Sequence, residues 1–396
     1  MDYHYQQEVM RKQCKTGVLV VSPQYPTKTD PAYSFVEQLV NAISLLGVDV
    51  MVIAPQSIVR HFLRKTELHP RFRKRLNENG ASVEVFQPYT ISFGGHFERL
   101  NDSLERLAIK RTIKKISTIP SFFYGHFWHS AYKLYPIAKS LEMPLFVATG
   151  ESRITITDVY SLKQLRPFLE YVKGVVCVST KNKEESISLG LVSSRKCIVL
   201  PNAIDDSLFH PLDRKTLRTK HQIPIDAFII VFVGAFIHRK GPDRVATAIS
   251  SITDGRTVYS FFIGAPHENE NSQPICENIL FKGRLPHSLL PEYLSMANAF
   301  VLPTLEEGCC NAIIEAMACG LPIVSSDRSF NYDVLDSSNS FLVDPMDVMA
   351  IKESILKLRD NNELCKEMGL ASLEKAASLT IAERARRIID YMKSNV

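Results

Sequence analysis

Apolar residues in this chain fall into two alternating patterns, short unbroken runs and sets at helical spacing. Residues 17–22 (GVLVVS) form an unbroken run, which suits a strand buried on both faces of a parallel sheet. Residues 32–46 then carry Phe35, Val36, Leu39, Val40 and Ile43 at helical spacing and stop at Gly47. Residues 49–54 are a second strand run. Further runs occur at 145–149, 174–179, 227–233, 258–264, 279–284 and 299–303. Between them, helical spacing or strong helix formers recur at 130–140, 180–189, 242–250, 289–297, 349–357 and 362–377. Residues 212–225 are charged and predicted helical. Ser179 stands where it can cap the helix that follows it. Residues 381–394 are amphipathic and basic. Strand–helix alternation of this kind is the mark of an α/β fold. Residues 55–80 and 87–120 break the rhythm: they are long, basic and read as irregular.

The sharpest local signal is the stretch 299–325, AFVLPTLEEGCCNAIIEAMACGLPIVS. It predicts a strand at 299–303, a polar loop at 304–308 and a helix at 310–319. Gly320 suits a left-handed stop, and Pro322 forbids continuation. A helix N-terminus offers unpaired N–H groups and partial positive charge, a ready site for phosphate. Glu307 sits just before this helix and Glu315 about one turn inside it. Carboxylates beside a diphosphate serve best as acceptors for hydroxyl groups. A diphosphate flanked by two sets of hydroxyls describes a nucleotide-sugar. An ordinary strand–helix–strand unit with both glutamates solvated accounts for the same residues equally well.

Composition adds limits. With 396 residues, two or three domains are expected. No apolar run approaches the roughly 20 residues that span a bilayer. The first fifteen residues lack an apolar core, so no signal peptide is expected. Eight cysteines occur without a C-x-x-C pair, which fits a reducing compartment and a cytoplasmic location. No G-x-G-x-x-G is present. The net charge of +5 is unevenly spread. Residues 60–75 (RHFLRKTELHPRFRKR) and 106–115 (RLAIKRTIKK) are strongly basic, as suits an anionic surface or, equally, a solvated face. No aromatic–basic platform for nucleic acid is recognisable in them.

Glu307, the seven residues after it, Glu315 and the following AMACGLPIV resemble the donor-site signature of family-4 retaining glycosyltransferases (glycosyl transferases group 1). Among these, the chain resembles bacterial surface-polysaccharide and teichuronic-acid-type transferases. The resemblance implies the GT-B architecture: two facing Rossmann-like domains with a cleft between them and a C-terminal helix crossing back to the first. Residues 1–200 would bind the acceptor, 201–379 the donor, and 380–396 would be the returning helix. The implied reaction transfers a sugar, with retention, from a UDP- or GDP-sugar to a hydroxyl of a glycan or lipid-linked acceptor. No metal or other cofactor is expected. A membrane-embedded acceptor would place the basic first domain at the inner face of the plasma membrane.

By the same resemblance, Lys240 in GAFIHRKG (234–241) meets the donor diphosphate, together with Gly308, Cys309, Cys310 and Asn311 through their backbone. Relatives carry an arginine where Ala235 stands, and Arg239 is the substitute expected here. Glu315 would hold the ribose hydroxyls and Glu307 those of the transferred sugar. His126 matches the position beside the anomeric carbon, with His129 its neighbour. Backbone at 281–284 would contact the base. The first loop, with Tyr25 to Ser34, lacks the glycine pair of many relatives. Thr149-Gly150 replaces their His-Gly and leaves Glu151 as an acceptor contact, and Ala203 replaces a glycine in the PNAID stretch. A non-hydrolysing nucleotide-sugar epimerase and a non-catalytic nucleotide-sugar-binding protein are the competing expectations.

Overall fold

The computed structural model describes residues 14–27, 33–64, 67–94, 97–116, 118–266, 270 and 272–396, with backbone alone at 14–16 and 64. The N-terminal thirteen residues, loop positions 28–32, and Lys65 of the first basic segment lie outside the described residues. The chain divides into two compact units, Met1–Leu200 with Ala382–Val396, and Pro201–Ile381.

The first unit opens with β1 (Cys14–Val21), α1 (Ser34–Leu45) and β2 (Asp49–Ile53). A short β3 (Gln56–Ser57), α2 (Ile58–Arg64), β4 (Phe72–Leu76), β5 (Ser82–Phe86) and β6 (Tyr89–Thr90) follow. Then come α3 (Glu98–Lys115), β7 (Ile119–His126), α4 (Trp128–Ser140), β8 (Leu145–Thr149), α5 (Ile156–Val159), α6 (Leu162–Tyr171), β9 (Gly174–Cys177), α7 (Thr180–Ser188) and β10 (Cys197–Val199). Eight strands make one sheet in the order β10-β9-β8-β7-β1-β2-β5-β4. All pairs are parallel except β4 with β5. Every residue of β8 and β9 is buried, as a parallel sheet covered on both faces requires. Phe123, Leu145, Val147 and Trp128 join Ile109 and Ile113 of α3 in the core.

The irregular reading of 55–80 and 87–120 is corrected here. Residues 98–115 are one 18-residue helix whose buried face is narrow: Asp102, Ala108, Ile109, Thr112 and Ile113. So few apolar positions among so many charges hid its period. The basic run FRKRL is the edge strand β4, mostly exposed. Charge on an edge strand blocks pairing with another chain. Lys74 of this strand also pairs with Glu84 of β5 at 2.7 Å.

The second unit contains α8 (Arg214–Lys220), β11 (Phe228–Val233), α9 (Pro242–Ser250), β12 (Val258–Ile263), β13 (Ile279–Gly283), α10 (Leu290–Met296) and β14 (Ala299–Leu302). It continues with α11 (Asn311–Ala318), β15 (Ile323–Ser326), β16 (Ser340–Val343), α12 (Val348–Asp360) and α13 (Asn362–Ala376). Its six strands are all parallel, in the order β13-β12-β11-β14-β15-β16. The sheet order reverses between β11 and β14, and in such sheets ligands bind beyond the strands' carboxyl ends near that switch. The helix predicted over 212–225 spans only Arg214–Lys220, since Gln222 at φ +55° and then Pro224 do not continue it, and within it Arg218 turns inward. It is fully buried and donates to the carbonyls of Met296, Ile225 and Ala227.

The last helix, α14 (Ile381–Ser394), belongs with the first unit from Ala382 onward. Arg384 donates to the Leu200 carbonyl, and Tyr391 Oη donates to Lys196 O at 2.6 Å. A Cβ at Gly174 would strike the Tyr391 hydroxyl at 2.4 Å, so the helix seats on β9 only because that residue is glycine.

Candidate functional site

The donor-type residues gather at the carboxyl ends of β11 and β14. The turn after β11 is fixed from several sides. Gly264, after β12, has φ +157°, and a Cβ there would lie 1.8 Å from the Gly234 carbonyl. Only glycine allows this approach. Arg244 of α9 donates to His238 O and Pro303 O, both at 2.9 Å, and Leu305 N donates to Arg239 O at 2.8 Å. The loop after β11 is thereby laced to the loop after β14.

On this frame Glu307 takes three donors on one oxygen. Lys240 Nζ lies 2.5 Å from Glu307 Oε1, Arg239 Nη1 2.9 Å, and Thr304 Oγ1 2.9 Å. Burial opposes charge on Lys240. The Cys310 and Glu307 side chains outweigh it, and the lysine's pKa is raised. Burial also raises the Cys310 thiol, against the pull of Lys240. That thiol is neutral at pH 7, so Glu307 is the charge that keeps the ammonium protonated. Two cations against one carboxylate leave the cluster net positive. Arg239, the expected substitute for the arginine missing at Ala235, therefore points at the same atom as Lys240.

Helix α11 starts at Asn311, one residue later than predicted, with Cys310 at its cap position and no side-chain cap hydrogen bond. Cys309 and Cys310 are buried. The loop before the helix is braced by Asn202, whose Nδ2 donates to Cys309 O at 2.9 Å and Asn311 Oδ1 at 2.7 Å. Asn202 lies in PNAID, about a hundred residues upstream, and its role could not be read from the stretch it supports. Glu315 is buried on α11, and its Oε1 meets His287 Nε2 at 2.9 Å. That hydrogen bond raises the His287 pKa. Burial opposes the rise, and the charges of Glu315 and Asp205 add to it. Phe209 packs on the imidazole, with ring centroids 5.1 Å apart. His287, like Asn202, carried no sequence signal beyond its residue type.

His126 lies in the first unit, at the last position of β7. Phe35, Tyr124 and Phe127 surround its ring at centroid distances of 5.6, 6.0 and 4.8 Å. Burial, with a smaller contribution from the Arg384 charge, lowers its pKa to about 3, and its buried Nδ1 has no hydrogen-bond partner among the described residues. The imidazole is neutral throughout the physiological range. Glu151 is held nearby on the chain: its Oε2 accepts from Thr149 Oγ1 and Gly150 N, both at 2.8 Å. Burial raises its pKa against those hydrogen bonds. His129 instead faces Asp102 at 3.4 Å, in a buried network with Tyr160, Lys133 and Glu105. A hollow of about 1020 Å³ opens beyond β1 and β2, lined by Gln24, Gln56, Arg60 and Asn101 together with apolar Val59, Leu63 and Phe93.

Residues 213–374 match the family model described as glycosyl transferases group 1. The putative teichuronic acid biosynthesis glycosyltransferase TuaC of Bacillus subtilis is 24% identical over 86% of this chain and 88% of its own length. The chain spans between 39% and 63% of the length of seven further relatives that it matches. Among solved structures, sucrose-phosphate synthase of Thermosynechococcus elongatus superimposes with a TM-score of 0.77 at 17% identity, over 96% of this chain and 99% of that one. Anabaena HepE, solved in complex with UDP and glucose, gives 0.71 at 14% identity, over 96% and 100%. The chain thus carries a glycosyl transferases group 1 domain on a GT-B fold, and it is a glycosyltransferase.

Proposed function

We propose that this enzyme moves a sugar, with retention at the anomeric carbon, from a UDP- or GDP-sugar to a hydroxyl of a glycan or lipid-linked acceptor in polysaccharide biosynthesis. The observation that carries the reading is the convergence of Lys240, Arg239 and Thr304 on Glu307, beside the uncapped start of α11. The teichuronic acid role in the name of TuaC and the UDP and glucose bound by HepE support the pathway class and the donor class.

In this reading the donor diphosphate lies over Lys240, Arg239 and the backbone of residues 308–311. Preorganised positive groups at a leaving group are usually the largest catalytic contribution. Glu307 holds both cations in place before the donor arrives, and its own charge is already matched, so it does not repel the phosphates. Its carboxylate then accepts from hydroxyls of the transferred sugar. Glu315 accepts from the ribose. The reaction follows a same-face course. The bond from the anomeric carbon to the diphosphate oxygen breaks as the bond to the acceptor oxygen forms, and the acceptor's proton passes to the leaving phosphate. Neutral His126 orients a reacting hydroxyl. The hollow of the first unit takes the acceptor, with Glu151 as a further acceptor contact. The protein groups named meet the leaving charge without a metal or other cofactor, and the enzyme works in the cytoplasm at the inner membrane face. No described helix is long and apolar enough to cross a membrane.

The test is a melting-temperature panel with UDP-, GDP-, ADP- and dTDP-sugars, with and without divalent cation. A ligand that binds the folded state raises the melting temperature. One nucleotide should give a clear shift without metal, and Lys240→Ala and Glu315→Ala should reduce it. Proton NMR of the product's anomeric coupling then reads retention. No shift with any nucleotide sinks the donor assignment, and an inverted product sinks the same-face course.

A further inference from the structure

Tyr33 breaks two local rules at once. It occupies the cap position before α1, where Ser, Thr, Asp, Asn or Gly is preferred, and its side chain makes no cap hydrogen bond. Its backbone is left-handed, with φ +65° and ψ 28°, a region that is costly for a bulky residue and suits glycine or asparagine. The turn forms all the same, with Val36 N donating to Tyr33 O at 3.0 Å. What it achieves is a placement. The centroid of the Tyr33 ring lies 5.3 Å from that of Phe35 and 6.4 Å from that of Phe127, and those two rings pack on the His126 imidazole. The charges of Arg60, Glu151 and Lys133 act on the Tyr33 hydroxyl, and Arg60 lines the hollow beyond β1 and β2.

Strained backbone of this kind collects at active sites and ligand clamps. Packing alone does not call for it. Phe35, Tyr124 and Phe127 already surround the His126 ring, and Tyr33 stays half-buried rather than joining the core. Burial raises the Tyr33 pKa, Arg60 and Lys133 oppose the rise and Glu151 adds to it, so the phenol is a neutral O–H donor. A partly open aromatic face with a hydroxyl at its edge has an apolar body and a polar tip. A pyranose matches both parts, because the C–H groups of a ring face are apolar and its rim carries hydroxyls. An open-chain alcohol has no face to lay on the ring. We infer that Tyr33 is a specificity-determining contact for the acceptor, its ring against the C–H face of a pyranoside whose hydroxyl reacts beside His126. This rests on the reading of the hollow and His126 as the acceptor side.

The test uses the full chain with the nucleotide-sugar that shifts its melting temperature. The acceptors are p-nitrophenyl pyranosides of glucose, galactose and N-acetylglucosamine, with glycerol and 1-hexanol as open-chain alcohols. The parent should use a pyranoside and neither open-chain alcohol. Tyr33→Gly removes the ring and relieves the backbone. It should melt at or above the parent, and it should keep the nucleotide-sugar shift and the slow release of nucleoside diphosphate to water. Its KM for the parent's best pyranoside should rise by about tenfold, with the donor KM unchanged. Tyr33→Phe keeps the ring face and should fall between Tyr33→Gly and the parent. A parental acceptor KM in Tyr33→Gly, or a melting temperature well below the parent's, overturns the inference and leaves the donor assignment standing. Equal transfer to pyranosides and open-chain alcohols, or no transfer to any pyranoside, does the same. Failure of the functional reading itself is read separately, as no nucleotide-sugar shift in the parent before any acceptor is added.

Discussion

The Lys240 ammonium lies 2.5 Å from Glu307 Oε1, with both side chains largely buried, so each residue sets the state of the other before any ligand arrives. Breaking a buried pair from one side leaves an uncompensated charge, a loss that reaches about 3–5 kcal/mol in full burial. Glu307→Ala should therefore lower the melting temperature of the ligand-free enzyme and abolish turnover. Lys240→Met removes the charge proposed to meet the donor diphosphate and should cut the rate by about 10²–10³. Arg239 is more exposed, so Arg239→Ala should cost less in both respects. Thermal melts and initial rates across the three variants check this ordering. An Arg239→Ala enzyme as impaired as Lys240→Met would show that the two cations act as one unit.

His287 gives the proposed donor site a pH dependence of definite sign. Its folded pKa is raised above the usual value near 6.5, first by the hydrogen bond to Glu315. The stabilisation from this pair is then complete below about pH 6.5 and is lost as pH rises through the raised folded value. The imidazole is half exposed, so solvent screening keeps the effect small. The melting-temperature difference between the parent and His287→Gln should be largest near pH 6 and should shrink above neutrality. Glu315 is released from the imidazolium over the same interval, so the parent's nucleotide-sugar shift should rise toward that of His287→Gln. A difference that stays flat from pH 5.5 to 9 would remove the pair from both roles.

His126 has the opposite sign. Its folded pKa is lowered to about 3, so burial favours the neutral ring and protonation favours the unfolded chain. The stability it contributes is present above about pH 6.5 and is lost as pH falls toward 3, by roughly 4–5 kcal/mol at about 1.36 kcal/mol per unit. His126→Phe fits the surrounding aromatic rings and removes the titration. It should melt less acid-sensitively than the parent between pH 6.5 and 4. It should also keep the nucleotide-sugar shift and lose turnover by about 10². A variant with parental turnover would make His126 purely structural.

Buried strands such as β8, β9, β11 and β14 were legible because an unbroken apolar run has one common explanation in an α/β chain; central strand β7 was not, since Ser121, Gly125 and His126 interrupt its apolar run. The helix after Glu307 was legible because Gly320 and Pro322 punctuate it. Edge strand β4 was not, since FRKRL carries the charges that protect an edge and so lacks strand alternation. Helix α3 was hidden for a related reason: its narrow core face is diluted by Arg and Lys. Glu307, Lys240 and Arg239 could be named from the sequence, but not their meeting on one oxygen, which depends on two loops laced together by Arg244. Asn202 acts on residues about a hundred positions away and His287 on one about thirty positions away, and nothing local distinguishes them. Buried Arg218 has no carboxylate partner among the described residues and is satisfied by carbonyl oxygens, so no charge pattern announces it.

Gly264 and Gly283 separate close approach from backbone strain at the ends of neighbouring strands. Both have positive φ, +157° and +152°. At Gly264 an added Cβ would sit 1.8 Å from the Gly234 carbonyl oxygen, and backbone there has no alternative course. At Gly283 the nearest atom is the Phe281 ring at 3.7 Å, which is ordinary contact. Gly283→Ala should therefore cost only the conformational strain of an unfavourable φ, about 1–3 kcal/mol. Gly264→Ala must push Gly234 away and with it the turn that carries Arg239 and Lys240. It should lose more stability than Gly283→Ala and, in whatever fraction folds, lose the nucleotide-sugar shift as well. Paired urea melts and ligand shifts for the two variants measure this. Equal losses in both would mean that strain alone, not the packing of β12 against the turn after β11, positions the cations.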